Sequence, residues 1–353
     1  MKKLIVTLLA GANTCTILIL WAVCFSSWLS PALYPRLAQA GLLMPIALGA
    51  NLAFVFLWFV IDIKGILLPL IGMLPTYNIC LDYCPLNFSR DDIPDSTQTI
   101  RVASFNCGSW SVRDSTDGEW NTPQLLQELD ADILCLQEQA GMNANIRKML
   151  EDMGYELKSN AGVAICSKLP FIGESIPLGQ SCRDFALAWR IKNGEDTLLV
   201  VSTHLESSHI PLEERVALGE HIQTHNRDEI KKSGRVILGF LSTSAVTRAG
   251  QVNILDSLLM THKGESIVLC GDFNDTPVSN AYRKTNRHLR NCFRESGRGL
   301  GLTYSRPGFW VRIDHIFASD DWESYQTRVV RKYPSSDHFP IVTTLRRKSI
   351  SAL

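Results

Sequence analysis

Ile267-Val268-Leu269-Cys270-Gly271-Asp272-Phe273-Asn274-Asp275 decides how this chain is read. Four apolar residues of strand type run into a glycine, and the glycine into Asp-x-Asn. The strand should therefore end on an exposed, sharply turned loop that carries a carboxylate and a carboxamide. Side chains alternate along extended backbone, so Asp272 and Asn274 can face the same way. A carboxylate can orient or deprotonate a water, and an amide NH₂ can donate to a developing phosphoryl oxyanion. Asp-x-Asn turns also arise for purely structural reasons. The weight of the pair depends on what the other strand ends carry.

Working outward, short strands alternate with helices from residue 100 onward. Residues 100–105, 131–136 and 161–167 have strand character, and 123–129 suits a helix. Residues 186–191 and 197–203 form a hairpin about Lys192-Asn193-Gly194-Glu195. A long helical region begins at Leu212, and 249–260 is amphipathic through Val252, Leu255, Leu258 and Leu259. Polar groups recur at the strand ends: Asn106, Gln137-Glu138, His204, and Asp272 with Asn274. Arg312-Ile313-Asp314-His315 lies in a late strand, and Ser336-Asp337-His338 precedes the last one, 340–345. Groups delivered from the edges of a layered scaffold are how active sites are commonly built.

The first part of the chain is of another kind. Residues 4–24 and 41–61 are each 21 residues without a charge, about 31 Å of helix, enough to cross a bilayer. The first run is too long for a signal peptide and lacks a small-x-small cleavage site before Pro31. A third segment, 65–81, is interrupted by Pro69 and Pro75. Three spans place the remainder outside the cytoplasm and two leave it inside, because Lys2 and Lys3 favour a cytoplasmic N-terminus. Three is the preferred count. The expected organisation is a membrane anchor over 1–84, a polar linker over 85–97 and a folded domain over 98–348.

Lys+Arg and Asp+Glu both number 35, so no global cationic field exists to attract polyanions. The ten cysteines include no C-x-x-C pair and no Cys/His cluster at zinc spacing. Cys135, Cys166 and Cys270 lie in apolar strands, as buried thiols do. No interleaved aromatic and basic pattern for stacking single-stranded bases is present. Nothing points to a protein partner.

Six motifs in order resemble the endonuclease/exonuclease/phosphatase superfamily: Ser104-Phe105-Asn106, Leu136-Gln137-Glu138, Ser202-Thr203-His204-Leu205, Gly271-Asp272-Phe273-Asn274, Arg312-Ile313-Asp314-His315 and Ser336-Asp337-His338. The resemblance implies an α/β fold, a four-layer αββα sandwich of two mixed sheets with helices outside, and Mg²⁺-dependent hydrolysis of phosphoesters. It makes Glu138 the principal cation ligand, with Asn106 nearby and Asp337 completing or supporting the site. Hard oxygen donors suit Mg²⁺ or Mn²⁺ rather than zinc. His338 would contact the scissile phosphate, oriented by Asp314, and His204 would protonate the leaving oxygen or bind phosphate. Asp272 would orient or deprotonate the attacking water and Asn274 would hold a phosphoryl oxygen, with the general base left open. Arg183 is a candidate phosphate contact. His315, on the other side of its strand from Asp314, should be structural.

Substrate class stays open at this level between nucleic acid and a phospholipid or small phosphoester. The alternative to an enzyme is a silent relative that only binds a phosphorylated ligand. Glu138, Asp272 and His338 are all present, which favours the enzyme.

Overall fold

Alternating apolar side chains split each central strand between two different cores. In β1 (Thr99–Asn106), Ile100 and Val102 face one core while Ala103 and Phe105 face another. β2 (Ile133–Gln137) divides Ile133 and Cys135 from Leu134 and Leu136 in the same way. β7 (Asp196–His204) and β8 (Ser266–Asp272) repeat the pattern, with Leu198, Val200, Val268 and Cys270 on the first core. Strands apolar on both faces have to be covered on both faces.

A computed structural model, describing residues 2–88, 92–93, 99–110, 121–178, 184–306 and 309–348, shows how this is done. One six-stranded sheet runs β13 (Trp322–Val329), β14 (Ile341–Arg347), β1, β2, β4 (Val163–Ser167), β3 (Glu156–Ser159). The other runs β5 (Phe171–Ile172), β6 (Ala186–Asn193), β7, β8, β12 (Asp314–Ala318), β9 (Arg290–Asn291). β10 (Tyr304–Arg306) and β11 (Phe309–Val311) pair separately. β1 with β2 and β7 with β8 are parallel while the other pairings are antiparallel, so both sheets are mixed. The sheets share one core. α5 (Thr122–Leu129) and α6 (Ala144–Asp152) cover the first outside, and α8 (Arg227–Thr261) with α9 (Asn280–Thr285) covers the second. This is the expected αββα sandwich.

Three details differ from the sequence reading. The hairpin turn tightens to Gly194-Glu195, with Gly194 at φ 62°, a conformation that glycine takes without steric cost. The 249–260 helix is the end of α8, which continues unbroken from Arg227 and packs on α7 (Leu212–Gln223). Asp272 is not on an exposed loop: it is 1% exposed, because the end of β8 points into the gap between the sheets. Gly271 is required there by a close approach, since a Cβ would stand 1.9 Å from the Thr203 carbonyl oxygen. Gly271→Ala should cost about 1–3 kcal/mol by overpacking. The check is a thermal melt of the full chain, in which an unchanged Tm would contradict the β7–β8 packing.

Three N-terminal helical stretches are long and apolar enough to cross a membrane: Lys2–Trp28, Leu37–Ile61 and Ile63–Tyr83. They contain α1 (Lys2–Phe25), α2 (Met44–Ile61), and α3 (Leu67–Met73) followed by α4 (Tyr77–Tyr83), with a short 3₁₀ turn at Pro75 between the last two. Their polar groups face each other, Trp58 Nε1 donating to Asn13 Oδ1 at 3.0 Å and Asn51 Nδ2 to the Thr16 carbonyl at 3.0 Å. The α1–α2 connection packs on the sandwich. Asn280 Nδ2 donates to the carbonyls of Ser27 and Leu29 at 3.2 Å each, and Arg283 Nε to Ser27 at 3.0 Å. Gly41 lies so close to Val278 that a Cβ would stand 2.0 Å from its carbonyl oxygen. The end of α4 is held too, because Arg312 donates to the carbonyls of Asp82 and Tyr83. Part of the expected linker is likewise pinned, Asn87 Nδ2 donating to the Gly297 carbonyl at 2.7 Å.

Candidate active site

Parallel pairing brings strand ends to one level. β1 and β2 end together at Asn106 and Gln137, and β7 and β8 at His204 and Asp272. β12 runs the other way and so begins at that level, with Asp314 opposite Asp272. The two sheets face each other, and the five ends meet across the gap.

Asn106 is the junction. Its Nδ2 donates to Glu138 Oε1 and to Asp272 Oδ2, both at 3.0 Å, while its Oδ1 accepts from Gly108 N at 3.0 Å. Glu138 takes a left-handed backbone (φ 53°) just past β2, which turns its carboxylate out of the strand. His204 Nε2 stands 3.6 Å from Glu138 and 3.8 Å from Asp272. Asn274 closes the corner: its N–H donates to Asp272 Oδ1 at 2.7 Å, and its Nδ2 lies 2.9 Å from the Leu205 carbonyl and 3.2 Å from His204 Nε2. His338 Nδ1 is 2.9 Å from Asp314 Oδ2, and its Nε2 is 3.7 Å from Asp272 Oδ2. Tyr304 packs on the His338 ring with centroids 4.9 Å apart.

Burial disfavours a charged imidazole at His338, yet the carboxylates of Asp314 and Asp272 outweigh it and hold its pKa up at about 10. The Asp272 carboxyl is pushed up by burial and by Asp314, and drawn back by His338 and His204. His315 is the converse: burial and then Arg312 push it down to about 3, so it sits neutral in the core 3.3 Å from the Asp275 carbonyl oxygen. It is structural, as its side of the strand implied.

A cavity of about 300 Å³ opens over this cluster, lined by Glu138, Asp272, Asn274, Asp337 and His338. Glu138 is the more open carboxylate, its side chain 39% exposed against 1% for Asp272. Open carboxylate oxygens beside further oxygen donors fit a hard divalent cation. Asp272, Asp314 and His338 also place one potential ligand atom each within 4.8 Å of one another. Asp337 sits beside the cavity with its carboxylate 3.1 Å from Arg306 Nε.

The sequence profile of the endonuclease/exonuclease/phosphatase family matches residues 103–338, two thirds of the chain and every group just described. The chain belongs to the endonuclease/exonuclease/phosphatase family. Members of this family are phosphoester hydrolases that typically use divalent metals. A second profile, a domain of unknown function, matches residues 3–83. No curated protein matches the chain by sequence. Among solved structures, an endonuclease/exonuclease/phosphatase from Bacteroides vulgatus is similar, with 16% identity and TM-score 0.51 over 71% of this chain and 100% of that one. ANGEL2, a 2′,3′-cyclic phosphatase solved with adenosine-2′,3′-vanadate, has 16% identity and TM-score 0.50 over 74% of this chain and 99% of its own. Both likenesses are of fold.

The structure gathers Asn106, Glu138, His204, Asp272, Asn274, Asp314 and His338 into one cluster with Asp337 at its rim. Arg183 lies outside the described residues. Arg248 is a further polar residue that the fold brings to the cavity. It is 2% exposed within α8, lines the cavity, and donates Nη1 to the Glu206 carbonyl at 2.9 Å with Asp275 3.5 Å from its Nε. An arginine inside an apolar helical repeat was the signal for it. Arg215 and Tyr304, hydrogen-bonded to each other at 2.9 Å, also line the cavity. So do Gln39 and Leu42, from the connection between two apolar helices. No motif marks those two.

Proposed function

We propose that this chain is a membrane-tethered phosphoester hydrolase that uses Mg²⁺ or Mn²⁺ and carries its catalytic site on the extracytoplasmic side. The observation that supports it most is a buried carboxylate, Asp272, within 3.8 Å of both His204 and His338, at a cavity lined by Asp272, His338 and the open carboxylate of Glu138.

Asp272 is placed to take the proton of a water attacking phosphorus in line with the departing oxygen. His338, held protonated by Asp314, donates from Nε2 to a non-bridging phosphoryl oxygen. Asn274 Nδ2 uses one hydrogen on the Leu205 carbonyl, and its other hydrogen is the one a second phosphoryl oxygen would take. His204 stands where a proton can be delivered to the leaving oxygen. Glu138 is the cation's anchor, with Asp337 in support. Asn106 binds both site carboxylates through Nδ2, so it would ligate through Oδ1 only by turning its carboxamide over and releasing Gly108. A bound divalent cation supplies neutralisation of phosphoryl charge and a more acidic water.

The test is hydrolysis of bis(4-nitrophenyl) phosphate by the full chain in nanodiscs during a Mg²⁺ or Mn²⁺ titration. Glu138→Gln should raise the half-saturating cation concentration by at least roughly tenfold. Cleavage that continues undiminished in chelator would sink the cation reading.

Topology is supported by contact. Both the α1–α2 connection and the end of α4 pack against the sandwich, which supports reading both as lying on its side of the bilayer, the arrangement that an odd number of crossings produces. With Lys2 and Lys3 inside, a reporter fused after Asp95 should be active only outside the cytoplasm; cytoplasmic activity would refute three spans.

A further inference from the structure

We propose that the phosphoester hydrolysed here belongs to a membrane phospholipid, whose hydrocarbon chain leaves the site along α7. This rests on the hydrolase reading above and adds the substrate class to it.

The first observation is where the cavity lies. Two of its wall residues, Gln39 and Leu42, come from the α1–α2 connection, and α2 begins at Met44, two residues after Leu42. At 1.5 Å per residue, that wall stands within a turn of the start of an apolar span. The connection is fixed to the sandwich by Asn280, Arg283 and the Gly41–Val278 approach, so the site cannot drift far from the bilayer. The same connection exposes Trp28 and Tyr34, aromatics that suit a headgroup layer, beside exposed Leu33, Leu37 and Leu43. A phosphate in the cavity is then at headgroup depth.

The second observation is a groove that continues from the cavity. Arg215, Tyr304 and Asp337 line both. Beyond them the groove follows α7 past Leu212, Val216 and Ile222, which are 66%, 50% and 52% exposed. α7 buries none of its residues. Glu220 and Gln223 share this wall, but Leu212, Val216, Leu218 and Ile222 supply most of its surface, and open apolar side chains beside a catalytic cavity at a membrane surface suit a hydrocarbon chain. Arg215 and Arg248 line the same cavity as His338, Arg215 held by the Ile210 carbonyl and Tyr304 and Arg248 by the Glu206 carbonyl and Asp275, and they give that wall positive charge. A formal net charge of zero gives no general attraction for a polyanion such as nucleic acid. In the reaction, water adds across a P–O ester bond: its oxygen bonds to phosphorus, and its second proton ends on the departing alcohol oxygen.

The test uses the full chain in nanodiscs of phosphatidylethanolamine, phosphatidylglycerol and sphingomyelin, with Mg²⁺. Released phosphorylated headgroup and apolar product are measured by mass spectrometry. Parallel reactions contain water-soluble phosphodiesters that carry the same headgroups without the long chains, single- and double-stranded nucleic acid, and bis(4-nitrophenyl) phosphate. At least one lipid should be hydrolysed with kcat/KM at least roughly tenfold above its soluble analogue, a 1.4 kcal/mol preference. Val216→Glu and Ile222→Glu each place a charge on the exposed face of α7, where folding is not at stake. Each should lower the lipid-to-nitrophenyl rate ratio at least roughly tenfold. Hydrolysis of the nitrophenyl diester with lipids untouched, or nucleic acid cleaved in preference to every lipid, overturns the proposal and leaves the hydrolase reading standing. Equal rates on lipid and soluble analogue, or an unmoved ratio in both variants, overturn it as well. Inactivity on every phosphoester, the nitrophenyl diester included, removes the hydrolase reading and this proposal with it.

Discussion

Asp272→Asn should lower kcat on any phosphoester this protein hydrolyses by roughly 10²–10⁴-fold, the usual contribution of a positioned base. The substitution keeps the shape and removes the acceptor. An asparagine there would point an NH₂ at the water that has to lose a proton. Because Asp272 is 1% exposed and beside Asp314, its charge is held in the fold against burial and repulsion. Asparagine relieves that repulsion but leaves one of the two donors the carboxylate accepts, Asn106 Nδ2 or the Asn274 N–H, without its acceptor, so the Tm is read beside the rate to separate lost chemistry from lost folding. Steady-state kinetics with a thermal melt on the same preparation decides the matter. A variant within tenfold of wild type would remove Asp272 from the reaction, and His204 would be the next residue to test as base.

His338→Ala should cost roughly 10²–10³-fold in kcat, the scale for one lost donor to a developing oxyanion. Asp314→Asn tests the cause. In the folded protein the His338 pKa is raised to about 10 from an ordinary value near 6.5. Its charged form therefore contributes fully below about pH 6.5, and that contribution is lost as pH rises through about 10. If turnover needs the imidazolium, the alkaline limb of kcat follows the same loss. Asp314→Asn removes the neighbour at 2.9 Å, so the limb should move toward neutral pH while the rate on its acid side changes less. A pH–rate profile of the two proteins reads this directly. An alkaline limb that stays in place would mean that Asp314 does not maintain the charge.

Much of the sandwich is legible in residues that are neighbours in sequence. Ile100 to Phe105 and Ile267 to Cys270 alternate or run apolar over a few positions, and such local patterns suffice to identify strands. What they cannot show is how far an element continues: α8 extends back to Arg227 because it packs on α7 and over the second sheet, a tertiary support. Burial was misjudged at Asp272 for a related reason. A strand end resembles a loop in one dimension, but this one enters the gap between two sheets.

The site shows the same division. The sequence by itself determined the family, the strands, the apolar stretches and the residue types at the strand ends, since each is written within a few consecutive positions. Only the tertiary structure decided who touches whom. Asn106 and Asp272 are 166 positions apart and share a hydrogen bond, and Gln39 reaches the cavity of His338 from a connection that bears no catalytic motif. Parallel register places β1 beside β2 and β7 beside β8, and the shared apolar core then sets the two sheets face to face. Contacts of that kind depend on packing across the whole fold, because the residues that make them leave no trace in each other's local sequence.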